Sequence, residues 1–131
     1  MGLTEELIGE HKWLVETLNK AKGQGVSSPE GQATLNEAKS GLLGHLKKED
    51  ISLYPKMHKA AETDTNLKRT LDMFAKDMDG ISAAALAFFA KYEGGGDGST
   101  FALDFGKLMA ALGGRVRKEE SILYKEFDKL A

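Results

Sequence analysis

The sequence predicts an all-α protein, an antiparallel up-down-up-down four-helix bundle with residues 1–131 forming one domain. Three observations carry this expectation. Proline- and glycine-marked breaks divide the chain into four segments, and apolar residues within each segment recur at spacings of three and four. Strand-like alternation of β-branched residues is nearly absent, whereas Leu, Ala, Lys, Glu and Met abound.

The first segment has an inward stripe of Leu7, His11, Leu14, Leu18 and Ala21. It ends at "GQGVSSPEG", where Ser28 is placed to cap the second helix and Pro29 to occupy its first turn. The second stripe runs Leu35, Ala38, Leu42, His45, Glu49 and then Ser52 or Leu53. Pro55 falls inside this pattern, so the helix is expected to kink or end its regular ladder there. "AETDTN" closes the segment, with Thr63 or Asp64 capping a third stripe of Leu71, Phe74, Met78, Ile81, Ala85 and Phe88. "YEGGGDGST" reads as a flexible break, after which Ser99 or Thr100 starts the fourth helix. Its stripe is Phe101, Phe105, Leu108, Leu112, Arg115, Glu119 and Ile122.

The composition narrows the function. With 131 residues the chain can bury a core without covalent staples. Its net charge of −2 gives no reason to expect nucleic acid or an anionic membrane as a partner. The absence of cysteine removes disulfides, thiolate zinc sites and a cysteine nucleophile, and is compatible with the cytoplasm, the expected location. The N-terminal "MGLTEELIGEHKW" has no signal-like apolar core, and "ISAAALAFFA" is too short to span a bilayer. The oligomeric state is left open.

The second and fourth segments repeat each other. "GHLKKEDISLYP" (44–55) returns 70 positions later as "GRVRKEESILYK" (114–125), with Glu49 matching Glu119, Tyr54 matching Tyr124, and His45 replaced by Arg115. The first and third segments match more faintly at an offset of 67, pairing His11 with Met78. The stripes therefore carry an anomaly. His11, His45, Glu49, Arg115 and Glu119 occupy inward positions that elsewhere hold Leu, Phe, Ile or Met. Buried charges require pairing or a metal, and His and carboxylate donors inside a bundle suit iron, manganese or zinc.

The arrangement resembles the hemerythrin-like proteins, specifically the HHE cation-binding domain, through "EHKWL", "HLKKED" and the echo "RVRKEE". The resemblance implies a four-helix bundle of two helix pairs, each offering a His and then a His-x-x-x-Glu around a di-iron centre. It further implies a role in binding dioxygen or in handling iron, nitric oxide or redox signals. Carried over by position, His11, His45 and Glu49 fill the first half, and Glu119 the glutamate place of the second. Met78 and Arg115 stand where the second half's histidines would be. Neither is a suitable ligand for hard iron ions, so the usual di-iron centre is not expected.

Two readings stay open. In one, a single metal ion (iron, with zinc or manganese as alternatives) is held by His11, His45, Glu49 and Glu119, and Arg115 replaces the second cation. Dioxygen or nitric oxide is then the candidate small ligand. In the other there is no metal, and Arg115 pairs with both Glu49 and Glu119 in a scaffold or interaction module. No catalytic residues are assigned. Around the site, His58 is expected in solvent, Trp13 at a helix seam, and Met73, Met78, Phe88, Phe89 and Met109 in the core. Tyr54 and Tyr124 are read as packing residues near the bundle end, with hydroxyls hydrogen-bonded into the site as the alternative. Gly44, Gly113 and Gly114 are expected to admit either a neighbouring helix or a small ligand.

Overall fold

The computed structural model describes residues 2–130, and among these it contains helices and no strands. Helix α1 is Leu3–Gln24 and α2 is Pro29–Lys48. A π-helical turn, Glu49–Leu53, leads from α2 directly into α3, Tyr54–Ala61. Helix α4 is Thr65–Lys91, α5 is Gly98–Lys118, and a second π-helical turn, Glu119–Leu123, joins α5 to α6, Tyr124–Asp128. The described residues thus form four helical rods: α1, α2 with α3, α4, and α5 with α6.

Capping follows the sequence closely. The Ser28 hydroxyl accepts from the Gly31 amide with Pro29 in the first turn of α2, and the Asp64 carboxylate accepts from Leu67 at the start of α4. Helix α5 starts earlier than expected because Asp97, not Ser99 or Thr100, caps it by accepting from the Thr100 amide. The glycine-rich break before it is pinned to the other hairpin. Gln32 donates to the Tyr92 carbonyl and accepts from the Gly94 amide, while Ser27 exchanges hydrogen bonds with Gly96.

Side-chain pairs fix the direction of neighbouring rods. Thr34–Gln24 and Lys48–Glu6 lie at opposite ends of the α1/α2 hairpin, and Lys91–Asp104 and Lys118–Asp77 do the same for α4/α5. Each hairpin is therefore antiparallel. The interior is layered along the rods. One apolar cluster includes Leu14, Leu42, Ala85, Phe88 and Leu112, and a second includes Leu7, Leu53, Phe74 and Leu123. Between them each rod contributes His11, His45 with Glu49, Met78, or Arg115 with Glu119.

The π-helical turns explain where the simple periodicity fails. In each, a backbone amide reaches five residues back: Tyr54 N–H donates to Glu49 C=O, and Tyr124 N–H to Glu119 C=O. The extra residue advances the stripe, so Leu53 and Leu123 are wholly buried while Ile122, expected inside, is 38% exposed. Pro55 follows the first turn at the start of α3, as anticipated, but Lys125 holds the equivalent place in the second. Proline is thus not the cause of the irregularity. Met73 is also a correction, being 47% exposed, whereas Phe88 and Phe89 are buried and Met109 is partly so. Trp13 lies at the α1/α2 seam with its ring against Gly41, and His58 is in solvent.

Nothing from a neighbouring helix approaches Gly44, Gly113 or Gly114, where an added Cβ would meet at most the end of Arg117. Gly31 differs: a Cβ there would collide with the Gly25 carbonyl in the inter-helix turn. Gly44→Ala should therefore stabilise the protein by about 0.5–1 kcal/mol through helix propensity. Gly31→Ala should destabilise it by about 1–3 kcal/mol through overpacking against backbone. Urea unfolding of both variants checks the opposite signs.

Candidate metal centre

Helix spacing brings the site together. His45 on α2 and Glu49 at the start of the π-helical turn that follows are one turn apart on one face, as are Arg115 on α5 and Glu119 at the start of the second π-helical turn, and His11 projects from α1 between the apolar layers. All five side chains are buried, Glu49 completely. The potential ligand atoms of His11, His45, Glu49 and Glu119 lie within 4.8 Å of one another. The four residues expected from the sequence as metal ligands are thus brought to one place.

The histidine tautomers follow from their outer partners. His11 Nδ1 lies 2.8 Å from Glu120 Oε2, and His45 Nδ1 lies 2.8 Å from Glu10 Oε1. A carboxylate can only accept, so each Nδ1 carries a hydrogen and each Nε2 of a neutral ring presents a lone pair inward. The two Nε2 atoms are 3.1 Å apart. His11 Nε2 is also 2.8 Å from Glu119 Oε1, and His45 Nε2 is 3.4 Å from Glu49 Oε2. Four electron-rich atoms facing one another repel unless a cation or a shared proton lies among them. Among the described residues, Glu49 Oε1 is the buried side-chain oxygen or nitrogen left without a hydrogen-bond partner. Such a carboxylate oxygen is costly to bury bare, and a metal ligand role would satisfy it. The donor set therefore fits a cation.

Arg115 occupies the other side of the site. Its Nε donates to Glu119 Oε2 at 3.2 Å, Nη1 to the Phe74 carbonyl at 3.0 Å, and Nη2 to the Tyr54 hydroxyl at 3.1 Å. Its guanidinium also sits 4.7 Å from the centre of the Phe74 ring. The expected second pairing, to Glu49, is not made. The guanidinium is turned toward Phe74 and Tyr54, and Glu49 instead accepts from the Tyr124 hydroxyl at 2.7 Å.

The electrostatics record the same contest between burial and neighbouring charge. Burial alone would depress the His45 pKa, but the adjacent Glu49, helped by Glu10, outweighs it and moves the value upward. Burial would raise Glu119, but contact with His11 and the charge of Arg115 hold it below the usual carboxylate range. For Tyr124, burial and the charges of Glu119 and Glu49 act together and push the hydroxyl strongly upward.

Both tyrosines take the alternative to simple packing, because their hydroxyls bond into the polar layer. Three further residues were not anticipated: Glu10 and Glu120, which orient the histidines, and Phe74, whose carbonyl receives Arg115. Glu10 and Glu120 directly adjoin His11 and Glu119, but helix period alone places them a full step off the inward stripe. Met78 and Arg115 line a small apolar cavity of about 30 Å³ beside His11 and His45, together with Leu14, Leu42 and Ile81. Met78 thus faces the site at the position equivalent to His11, which supports the fainter of the two internal matches.

No helix among the described residues is long and apolar enough to cross a membrane. No curated protein and no solved structure matches the chain significantly. A family model does: the hemerythrin HHE cation-binding domain, over residues 2–127. With the bundle and its buried His/Glu cluster, that match over nearly the whole length shows that this chain belongs to the hemerythrin HHE cation-binding domain family.

Proposed function

We propose that the protein holds one metal ion, iron by preference, through His11, His45, Glu49 and Glu119, and that Arg115 takes the place of a second ion. The observation that carries this reading is the convergence of four buried lone-pair atoms, with both imidazoles fixed from behind by carboxylates. Two histidines and two carboxylates suit iron, and also zinc or manganese. Iron so held would supply an open coordination position for dioxygen or nitric oxide, in a role of binding, sensing or iron handling. The lack of cysteine suits a cytoplasmic setting, which forms part of the same proposal.

The chain's own residues shape that position. Glu10 and Glu120 accept from Nδ1, which fixes the tautomer of each neutral ring with Nε2 aimed inward and makes that nitrogen a stronger donor. Lys48 in turn holds Glu10, pairing with it and, at 2.6 Å, with Glu6. The cavity beside the histidines is large enough for a small molecule, and its largely apolar lining favours a neutral diatomic over a charged one. Arg115 balances Glu119 and, being permanently charged, excludes a second cation from its own half.

A metal-free reading would have to satisfy the same atoms with a proton shared between His11 and His45. It leaves Glu49 Oε1 bare, which is why it is the weaker account.

Elemental analysis of untagged protein should find about one equivalent of metal, and His45→Ala should lose it. Absence after anaerobic loading with Fe(II), Mn(II) and Zn(II) would establish the metal-free reading instead. Arg115→Ala should cost about 3–5 kcal/mol by stranding Glu119, measurable by denaturant unfolding. Met78→His combined with Arg115→His should raise the metal content toward two equivalents. A double variant that folds but gains none would contradict the equivalence of the two halves.

A further inference from the structure

We propose that Tyr124 is a fifth ligand of the metal site, coordinating through its phenolate oxygen and giving a two-histidine, two-carboxylate, one-tyrosinate donor set matched to a ferric ion. This rests on the metal-binding reading above, and it concerns a residue outside the His and Glu pattern that the family resemblance supplies.

The geometry carries the assignment. The Tyr124 oxygen lies 3.2 Å from His11 Nε2, 2.7 Å from Glu49 Oε2 and 3.3 Å from Glu119 Oε1. Adjacent ligands ~2.1 Å from a metal, at angles of ~90–110°, are separated by roughly 3.0–3.4 Å. The contacts to His11 Nε2 and Glu119 Oε1 therefore fall in the range kept between neighbouring ligands, and the shorter one to Glu49 Oε2 is a hydrogen bond that lengthens once the phenolic proton is lost. A residue serving only to orient Glu49 would need one of these contacts. Its burial and the near-parallel stacking of its ring on His11, 5.6 Å between centres, keep the oxygen at this place.

The π-helical turn is what delivers it. In an unbroken α-helix residue 124 would stand about 140° around the axis from Glu119. With Tyr124 N–H bonded to Glu119 C=O, the two residues stack on one face instead. The same turn delivers Tyr54 in the other half, but there the hydroxyl accepts from Arg115. Arg115 thus occupies one tyrosine and leaves the other for the metal. Phenolate is a hard anionic oxygen donor that proteins use for ferric iron. Together with Glu49 and Glu119 it supplies three negative charges against a trivalent ion. Coordination would form the metal–oxygen bond and release to solvent the phenolic proton, which without metal is donated in a hydrogen bond to Glu49 Oε2.

The test is spectroscopic. Metal-free protein is loaded with Fe(III) from its nitrilotriacetate complex, desalted, and assayed for bound iron and visible absorption. The wild type should retain about one equivalent and show a phenolate-to-iron charge-transfer band. Its resonance Raman ring vibrations should shift when the protein carries ring-deuterated tyrosine. Tyr124→Phe should keep its iron and lose at least ten-fold in band intensity. The band should persist in Tyr92→Phe, whose hydroxyl bonds Asp104, and in Tyr54→Phe. Should Tyr124→Phe fail to fold, the labelled wild type and the other two variants identify Tyr124 by elimination. Iron bound without the band, or with unshifted vibrations, overturns the tyrosine ligand and leaves the metal site standing. Wild type that retains no Fe(III) overturns the tyrosine ligand, and wild type that also retains no Fe(II), Mn(II) or Zn(II) overturns the metal site with it. A band that survives Tyr124→Phe and vanishes in Tyr54→Phe assigns it to the wrong half and overturns the proposal.

Discussion

Two carboxylates buried side by side in an apolar bundle set the terms for everything else in this molecule. Glu49 and Glu119 are essentially inaccessible, and each sits where leucine would stabilise the fold more simply. Their mutual repulsion in a poorly polarisable interior must be met by positive charge or hydrogen-bond donors. The protein meets it differently on the two sides. Glu119 has a guanidinium and an imidazole; Glu49 has a phenol, a distant imidazole and one oxygen with nothing. That unevenness points to where an exchangeable cation belongs.

The π-helical turns are the backbone's answer to the same constraint. A helix can present a glutamate and a tyrosine five residues later on one face only by widening for a turn. Both rods do so at the glutamate, and both then bury the leucine four residues on. The cost of irregular helix is accepted at two related places with different flanking residues, Pro55 in one and Lys125 in the other. The proline does not account for this; what both turns share is the Lys-Glu-acid-x-x-Leu-Tyr run and the need to aim its glutamate and tyrosine at one site.

Much of this is legible in the amino-acid sequence. Four helices follow from breaks and spacing, because a stripe such as Leu7, His11, Leu14, Leu18 has one face and one period. The inward His, Arg and Glu residues stood out for the same reason, since periodicity assigns a face without regard to chemistry. What stayed hidden lies where period and geometry part. A constant 3.6-residue repeat puts Ile122 inside and turns Tyr124 away, and nothing in "EESILY" announces an extra residue in the turn. Glu10 and Glu120 were missed because they reach the histidines from the edge of the stripe, using long side chains that helix phase does not describe. The pairing of Arg115 with Glu49 was a reasonable charge argument. It failed on reach and competition, since the Phe74 carbonyl and Tyr54 hydroxyl hold the guanidinium elsewhere.

The proposal that Arg115 takes the place of a second ion describes a half-site replaced, not decayed. Its outer frame keeps the pattern of the first: Lys118 pairs with Asp77 as Lys48 pairs with Glu10, at equivalent positions of the repeat. A half-site drifting without constraint would be expected to lose such peripheral pairs along with its inner donors. Arg115, moreover, has all three of its nitrogens engaged and an aromatic face beneath it, a degree of satisfaction that chance substitution in a core does not supply. A guanidinium differs from a metal ion in the two respects that matter here: it cannot leave and it cannot bind a ligand. Fixing one charge covalently leaves the bundle stable in that half whatever the metal supply. On the proposed single-metal reading, the exchangeable charge, and any chemistry that comes with it, is confined to the half that retains His11, His45 and the unsatisfied Glu49.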